Sequence, residues 1–276
     1  MKKFIPIVIP AKNEETRIEA TINSLINTFK NTNFEPKFVV VDDGSSDRTA
    51  EIAIHLGCNV IELEDRGYSA LGKPELANTH NAGFLFIKDN FDYNEYDYIM
   101  VVGADTTFEK DYLQKILQKF KEDTNLVMCA GVIDGFNTNR LHVRGSGRLI
   151  DKDFWKNYGE KLPNKVHGWE SHPIYWANFK GFNTLTVDQA IMKTCRPPMK
   201  NVDWQRYGKA MREYGSLFPY VLVRAIKAFI KISPYQAYRL ITGYFQKPIH
   251  TYEPELMEYI KNHQKRKIMN LLIGKV

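Results

Sequence analysis

The sequence predicts an α/β fold in which a mostly parallel sheet is covered by helices on both faces. Three observations carry this. Apolar β-type runs alternate with helix-period segments through the first part of the chain, the turns joining them are short, and the runs end in acidic or glycine-bearing turns. Sheets of this kind bind ligands at the carboxyl ends of their strands, so those turns are where functional residues are sought.

The first strand covers 4–10 (Phe4-Ile5-Pro6-Ile7-Val8-Ile9-Pro10). Pro6 removes a ladder donor, which predicts that the start of the strand is unpaired on one side. Asn13 is the candidate N-cap of a helix that keeps Ile18, Ile22, Leu25, Ile26 and Phe29 at helical spacing, with early acids at its positive end. A second strand, 38–41, ends in Asp42-Asp43-Gly44-Ser45-Ser46-Asp47-Arg48-Thr49. Asp47 is read as the cap of a helix bearing Ile52, Ala53 and Leu56, and Gly57 as its stop. A third strand follows at 59–63, then a polar loop, 64–73, holding Arg66, Gly67, Gly72 and Lys73, then a helix from 74 to about 88.

The run Tyr98-Ile99-Met100-Val101-Val102 leads through Gly103-Ala104 to Asp105. A strand that ends on an aspartate offers a hard oxygen ligand at the rim of the sheet. The same residue also reads as the cap of the helical pattern 109–120. Asp42 and Asp43 sit at another strand end on that rim, and adjacent carboxylates repel unless a cation or hydrogen-bond donors offset them. A shared acidic rim therefore points to ligand binding.

Beyond residue 126 the pattern changes. A strand at 127–132 precedes a polar, arginine-bearing stretch at 139–148; 168–173 leads into a helix at 174–179 with Gly181 as its stop; a strand follows at 185–187 and a loop at 196–198. The segment 217–232 is an amphipathic helix with Arg224, Lys227 and Lys231 on one face, ended by Pro234. An aromatic-rich segment, 235–245, and a basic final helix with His263, Lys265, Arg266 and Lys267 complete the chain.

The formal net charge of +6 is carried mostly by the last third, so the excess forms a local patch. Cys58, Cys129 and Cys195 are widely spaced and form no CxxC, which fits small core residues in a reducing compartment. The apolar run after Met1-Lys2-Lys3 is too short for a secretory signal, and no run approaches the roughly 20 residues of a spanning helix. A cytoplasmic location, peripheral at most to the inner face of the membrane, is the expectation.

Pro10-Ala11-Lys12-Asn13-Glu14, the Asp42-Asp43-Gly44-Ser45-Ser46-Asp47 stretch, Gly72-Lys73 with Asn81-Ala82-Gly83 behind it, and the acidic strand end at Asp105, in this order and spacing, resemble the family 2 glycosyltransferases of the GT-A fold. The resemblance implies a UDP- or GDP-sugar donor. Pro10, Glu14 and Asp43 would hold base and ribose, Asp42 would support them, Lys73 would lie near the nucleotide, and Asp105 would bind Mg²⁺ or Mn²⁺ bridging the diphosphate. The family's Asp-x-Asp stands here as Gly103-Ala104-Asp105, so the first acid is missing from the donor set.

Glu170-Ser171-His172-Pro173 resembles the Glu-Asp stretch that carries the catalytic base of inverting members, but Ser171 stands at the Asp position. Glu170 is the first candidate for the base and Asp188 the second, and His172 is read as structural. Trp204 to Arg212 resembles an arginine-bearing segment from which Arg206 or Arg212 would meet a diphosphate; it reads equally as an amphipathic helix with solvated cations. The implied organisation is a nucleotide-sugar-binding half (1–125), an acceptor-binding and catalytic half (126–215) and an amphipathic helical tail (216–276).

The implied activity is inverting, metal-assisted transfer of a hexose to a hydroxyl of a lipid-linked, glycan or protein acceptor. The alternative is a non-catalytic nucleotide- or glycan-binding relative. A nucleotidyltransferase is disfavoured because no glycine-rich, Arg-bearing loop follows the first strand. The tail is read as a helix pair packed on the domain or as a peripheral membrane contact through 217–247; no nucleic-acid partner is expected.

Overall fold

The computed structural model describes residues 2–136, 143–196 and 203–272. Among these residues eight strands form one sheet: β1 (Lys3–Ala11), β2 (Phe34–Asp42), β3 (Asn59–Glu62), β4 (Tyr98–Val101), β5 (Thr106–Phe108), β6 (Leu126–Ile133), β7 (Arg148–Asp151) and β8 (Asn183–Thr194). Their order is β3-β2-β1-β4-β7-β6-β8-β5. The first four are parallel, β7 runs antiparallel to β4 and β6, β8 is parallel to β6, and β5 closes the far edge antiparallel to β8.

The apolar alternation of the strands separates two cores. On β1, Phe4 and Val8 enter one, while Ile5, Ile7, Ile9 and Ala11 enter the other. Val39 and Val41 of β2 join the first, Phe38 and Val40 the second. Helices α1 (Ile18–Phe29), α2 (Thr49–His55) and α4 (Tyr112–Glu122) cover the second core. The first is covered by α3 (Leu76–Asn90), α5 (Lys152–Tyr158), α6 (His172–Phe179) and the C-terminal helices α7 (Trp204–Glu213), α8 (Phe218–Lys231), α9 (Pro234–Phe245) and α10 (Pro254–Leu272). Val221, Leu240 and Ile260 of the tail thus share a core with Phe4 and Val8 of the first strand.

The Asn81-Ala82-Gly83 stretch has a packing role. A Cβ on Gly83 would lie 2.6 Å from Val8 Cγ1, so the glycine lets α3 rest directly on the sheet. Asn81 pins the loop at Leu162 by accepting its N–H at 2.8 Å and donating to its carbonyl at 2.9 Å.

Several local readings change. Asn13 does not cap α1. It has φ 55°, its Oδ1 accepts from Ser46 N at 2.8 Å, and the helix begins at Ile18 after a turn. Its side chain ties the first βα turn to the second, as Asx residues in the left-handed region do. Asp47 precedes the helix start by one position more than expected. Arg48 is the N-cap, and Asp47 accepts from Glu15 N and Thr49 N. The stretch expected as one strand to Asp105 ends at Val101; 102–105 is a turn before β5. The sheet is also more mixed than its parallel first half suggested, because β5 and β7 are short strands without an apolar run. The start of β1 is not unpaired: Phe4 bridges Tyr96 in parallel on the β4 side, where the ladder is interrupted at Pro6 and resumes at Ile7. The polar stretch at 139–148 and the loop at 196–198 lie partly outside the described residues.

Tyr112 braces β6 against the turn that leads into β7. Fully buried on α4, it accepts from Gly131 N at 2.8 Å and donates to Gly147 O at 2.9 Å. Tyr112→Phe strands two buried backbone groups, and the expected loss is about 2–4 kcal/mol of unfolding free energy by urea titration. A loss under about 0.5 kcal/mol would mean the hydroxyl bonds do not brace the sheet.

Candidate active site

A cavity of about 440 Å³ opens at the carboxyl ends of β1 and β4. Pro10, Glu14 and Asp43 line it from the first two strand ends, Gly103, Ala104 and Asp105 from the turn after β4, and Glu170 from the segment before α6. The parallel register that pairs Ala11 with Asp42 is what brings the first two turns side by side.

Asp43 is buried. Its Oδ1 accepts from Thr79 Oγ1 at 3.0 Å and from Arg66 Nη2 in a close ion pair. Arg66 comes from the loop after β3, and its Nη1 is buried without a hydrogen-bond partner among the described residues. Lys12 ties the same loop down, donating to Asp43 O at 2.8 Å, Gly44 O at 3.0 Å and Asp65 Oδ1 at 2.6 Å. Asp42 does not line the cavity: its carboxylate is turned onto Ser45, whose N–H and hydroxyl it accepts. The adjacent carboxylates thus avoid mutual repulsion by facing different donors.

Glu14 and Asp105 are joined through one cation. Arg196, just past β8, donates from Nη2 to Glu14 Oε1, and its Nε lies 3.8 Å from Asp105 Oδ2. Glu14 Oε2 accepts from Arg17 Nη1 at 3.0 Å, and Asp105 Oδ2 from Thr194 Oγ1 at 3.3 Å. At Gly103 a Cβ would lie 3.3 Å from Asp105 Oδ1 and 3.4 Å from Thr106 Oγ1. Ser146 fills that side, accepting Gly103 N–H at 3.0 Å and donating to Thr106 Oγ1 at 2.8 Å. Hydroxyls therefore occupy the surroundings of the missing acid.

The expected Mg²⁺ or Mn²⁺ fits this donor set poorly. Among the described residues no three His, Cys, Asp or Glu side chains converge as a metal cluster. The two acids at hand already hold two guanidinium groups, and a dication at Asp105 would sit beside one of them.

Glu170 is half exposed, with its carboxylate beside Gly145 and 4.0 Å from Arg148 Nη2. Arg148 itself is buried, and its guanidinium donates to the carbonyls of Val143 at 2.6 Å, Arg144 at 3.0 Å and Glu170 at 3.2 Å. Burial pulls its pKa down from the ordinary value, and the charge of Glu170 opposes that. Asp188 lies on β8 and does not line the cavity, so the second candidate for a base is not brought to the site. Lys73 and Arg206 also stand outside it. Lys73 Nζ sits 3.9 Å from the Tyr68 ring centroid, and Arg206 Nη1 donates at 3.0 Å to the carbonyl of Gly72, a residue that does line the cavity.

Two histidines that were not singled out line the cavity. His167 places Nδ1 2.8 Å from Oε1 of the buried Glu213, which also takes its backbone N–H at 2.6 Å. His80 holds Nδ1 against Leu76 O at 2.9 Å, which makes Nδ1 the donor, and its ring packs on Trp169. His172 is structural as expected, buried between Tyr158 OH at 2.6 Å and Glu253 Oε2 at 3.0 Å. No sequence spacing announces Arg196, Arg148 or Arg66, because each acts on a residue distant in the chain.

Residues 7–71 match the family model described as Glycosyl transferase family 2. Over 71 residues the chain is 37% identical to a 4,4'-diaponeurosporenoate glycosyltransferase of Staphylococcus haemolyticus (strain JCSC1435), covering 25% of this chain and 18% of that one. Over 153 residues it is 30% identical to a poly-beta-1,6-N-acetyl-D-glucosamine synthase of Staphylococcus aureus (strain COL), covering 54% of this chain and 31% of that one. The chain thus spans less than a third of the length of these curated relatives. The fold is similar to that of the mannosyltransferase PcManGT from Pyrobaculum calidifontis, solved with GDP-Man and Mn²⁺ (TM-score 0.57, 14% identity, 98% of this chain and 81% of that one). It is similar also to S. aureus TarS 1-349 in complex with UDP-GlcNAc (TM-score 0.55, 14% identity, 86% and 70%).

Burial lowers the pKa of His80 and of His172 below the ordinary value, against the opposing pull of Leu76 O on the first and Glu253 on the second. Both therefore take up a proton at lower pH in the fold than in the unfolded chain, whose histidines titrate near pH 6.5. Stability is full above that pH and falls as pH drops through it, by up to about 1.4 kcal/mol per pH unit for each histidine. His80→Gln is expected to remove one histidine's share of that slope between pH 7.5 and 5.5 in urea midpoints; an unchanged slope would place the acid sensitivity elsewhere.

Proposed function

We propose that this chain, whose matched N-terminal segment belongs to glycosyl transferase family 2 and whose fold is of the GT-A type, moves a hexose from a nucleoside diphosphate sugar to an acceptor hydroxyl with inversion. The observation that carries this reading is the convergence of Pro10, Glu14, Asp43, Asp105 and Glu170 on one cavity, although they come from four separate segments. The nucleotide lies over the β1 and β2 turns, with Asp43, fixed by Arg66 and Thr79, on base and ribose. The diphosphate lies toward Asp105, Arg196 and the Gly103 turn, and the sugar faces Glu170.

Glu170 takes the acceptor proton. The acceptor oxygen then bonds to the anomeric carbon from the face opposite the diphosphate, and the electrons of the breaking C–O bond pass to the phosphate oxygen. A half-exposed carboxylate is suited to this, because it is open to an incoming acceptor. No step is assigned to an ion at Asp105, since the acids there are already paired with arginines.

The non-catalytic reading draws on two features: Ser171 in place of the expected acid, and Arg196 lying across Glu14 and Asp105. One experiment separates the two. Calorimetric titration with UDP-, GDP- and related sugars is expected to give one donor class. Glu170→Gln is expected to leave donor affinity within about twofold and to slow transfer by 10²-fold or more. Donor binding without transfer to any lipid-linked, glycan or protein acceptor would favour the binding-only relative.

The acceptor is reached at a membrane surface in this reading. On α8, Val221, Ala225 and Ala228 are buried, while Phe218, Leu222, Ile226, Phe229 and Ile230 are exposed beside Lys227 and Lys231. On α9, Tyr235, Tyr238 and Phe245 continue the exposed apolar area. Among the described residues no helix is long and apolar enough to cross a membrane, so the fitting mode is a helix pair lying in the headgroup region. Co-sedimentation with phosphatidylglycerol-containing vesicles is expected, weakened by salt, and Phe229→Glu with Ile230→Glu lowers the partition coefficient by about tenfold or more. Equal partition of the wild type and the double variant would assign the face to protein contacts.

A further inference from the structure

The charge on the donor's diphosphate must be met by something, and the residues around Asp105 indicate what. Asp105 and Glu14 are the two acids on that side of the cavity. Glu14 has one oxygen on Arg17 and the other on Arg196, and Asp105 faces the same Arg196 at 3.8 Å. The position two before Asp105 is Gly103, and the hydroxyls of Ser146 and Thr106 fill its surroundings. A divalent ion takes several hard oxygens, and here it would meet one carboxylate already facing a guanidinium. The site is built around an arginine.

Arg196 is suited to a diphosphate. A guanidinium carries five N–H donors in a planar fork that matches phosphate oxygens two at a time. Among the described residues the Arg196 side chain hydrogen-bonds through Nη2 alone, to Glu14. The group is half exposed and lines the cavity; Nε faces Asp105 at 3.8 Å, and Nη1 has no hydrogen-bond partner among the described residues. The two acids then serve as anchors that hold the fork in place.

We propose that Arg196, oriented by Glu14 and Asp105, binds the donor's diphosphate in the place a divalent ion would take, so that donor binding by this chain needs no metal. The inference rests on the nucleotide-sugar reading above and specifies how the leaving group is held. No covalent step is added: the guanidinium offers hydrogen bonds and a positive charge to oxygens that gain negative charge as the sugar departs.

The test is equilibrium binding to the full chain, with UDP, GDP, uridine and guanosine as probes, in excess EDTA and again with Mn²⁺. The nucleoside diphosphate that binds is expected to show a Kd in EDTA within about threefold of that in Mn²⁺. Arg196→Gln is expected to weaken that diphosphate by about tenfold or more while leaving the matching nucleoside unchanged. Arg196→Lys, which keeps the charge without the fork, should fall between them. Thermal unfolding of both variants verifies the fold, and retained nucleoside binding verifies the base pocket. Diphosphate binding seen only with Mn²⁺ would overturn the proposal and leave the nucleotide-sugar reading standing, as would wild-type diphosphate affinity in Arg196→Gln. Failure of the wild type to bind either diphosphate under both conditions would overturn the nucleotide-sugar reading itself, and this inference with it.

Discussion

The structure depends on β1 being apolar on both faces. Phe4 and Val8 point into one core and Ile5, Ile7 and Ile9 into the other, so the strand cannot slip by one residue without exchanging its contents between two differently shaped interiors. With its register fixed against β2 along its whole length and against β4 from Ile7 onward, the turns after β1 and β2 and the segment after β4 open at one rim. Gly83 adds to this by letting α3 rest on Val8 and Val41, which brings Thr79 to Asp43. The site is a consequence of that register.

The first half of the fold was legible because β1, β4 and the second part of β2 are buried on both faces and appear as continuous apolar runs. The second half was not, for a physical reason. β7 is four residues long and begins with Arg148, a buried cation whose donors are used on backbone carbonyls. A charged residue in so short a run gives no strand signal. β5 is shorter still and is held by its pairing to β8. Only residues 185–187 of β8 were recognised, because Asp188, Gln189 and Lys193 interrupt the apolar residues of its second part. Asn13 was misread because capping and a left-handed turn favour the same residue type, and only the position of Ser46 decides between them.

For the site, sequence order named the acids and missed their partners. Glu14, Asp43, Asp105 and Glu170 fall on one cavity, while Asp42, Lys73, Asp188 and Arg206 do not line it. Asp43 and Asp105 were found because they follow apolar runs, and Glu14 and Glu170 because the stretches around them resemble family motifs. The arginines were missed because each is delivered from far along the chain: Arg66 to Asp43, Arg196 to Glu14 and Asp105, Arg148 toward Glu170. A periodicity argument has no access to a contact that depends on how β8 lies beside β6.

That pairing has a consequence for how substitutions are read. Every acid in the cavity faces a guanidinium, so removing a buried acid also strands a cation, and the measured loss mixes ligand binding with folding. Asp43 and Glu14 are of this kind, each nearly inaccessible and each held by an arginine. Glu170 and Arg196 are themselves about half open to solvent, and the buried groups they face keep other partners: Arg148 donates to three backbone carbonyls, and Glu14 still accepts from Arg17. Chemistry and stability are therefore separable at the two outer positions of the cavity and inseparable at the two inner ones, whatever the donor proves to be.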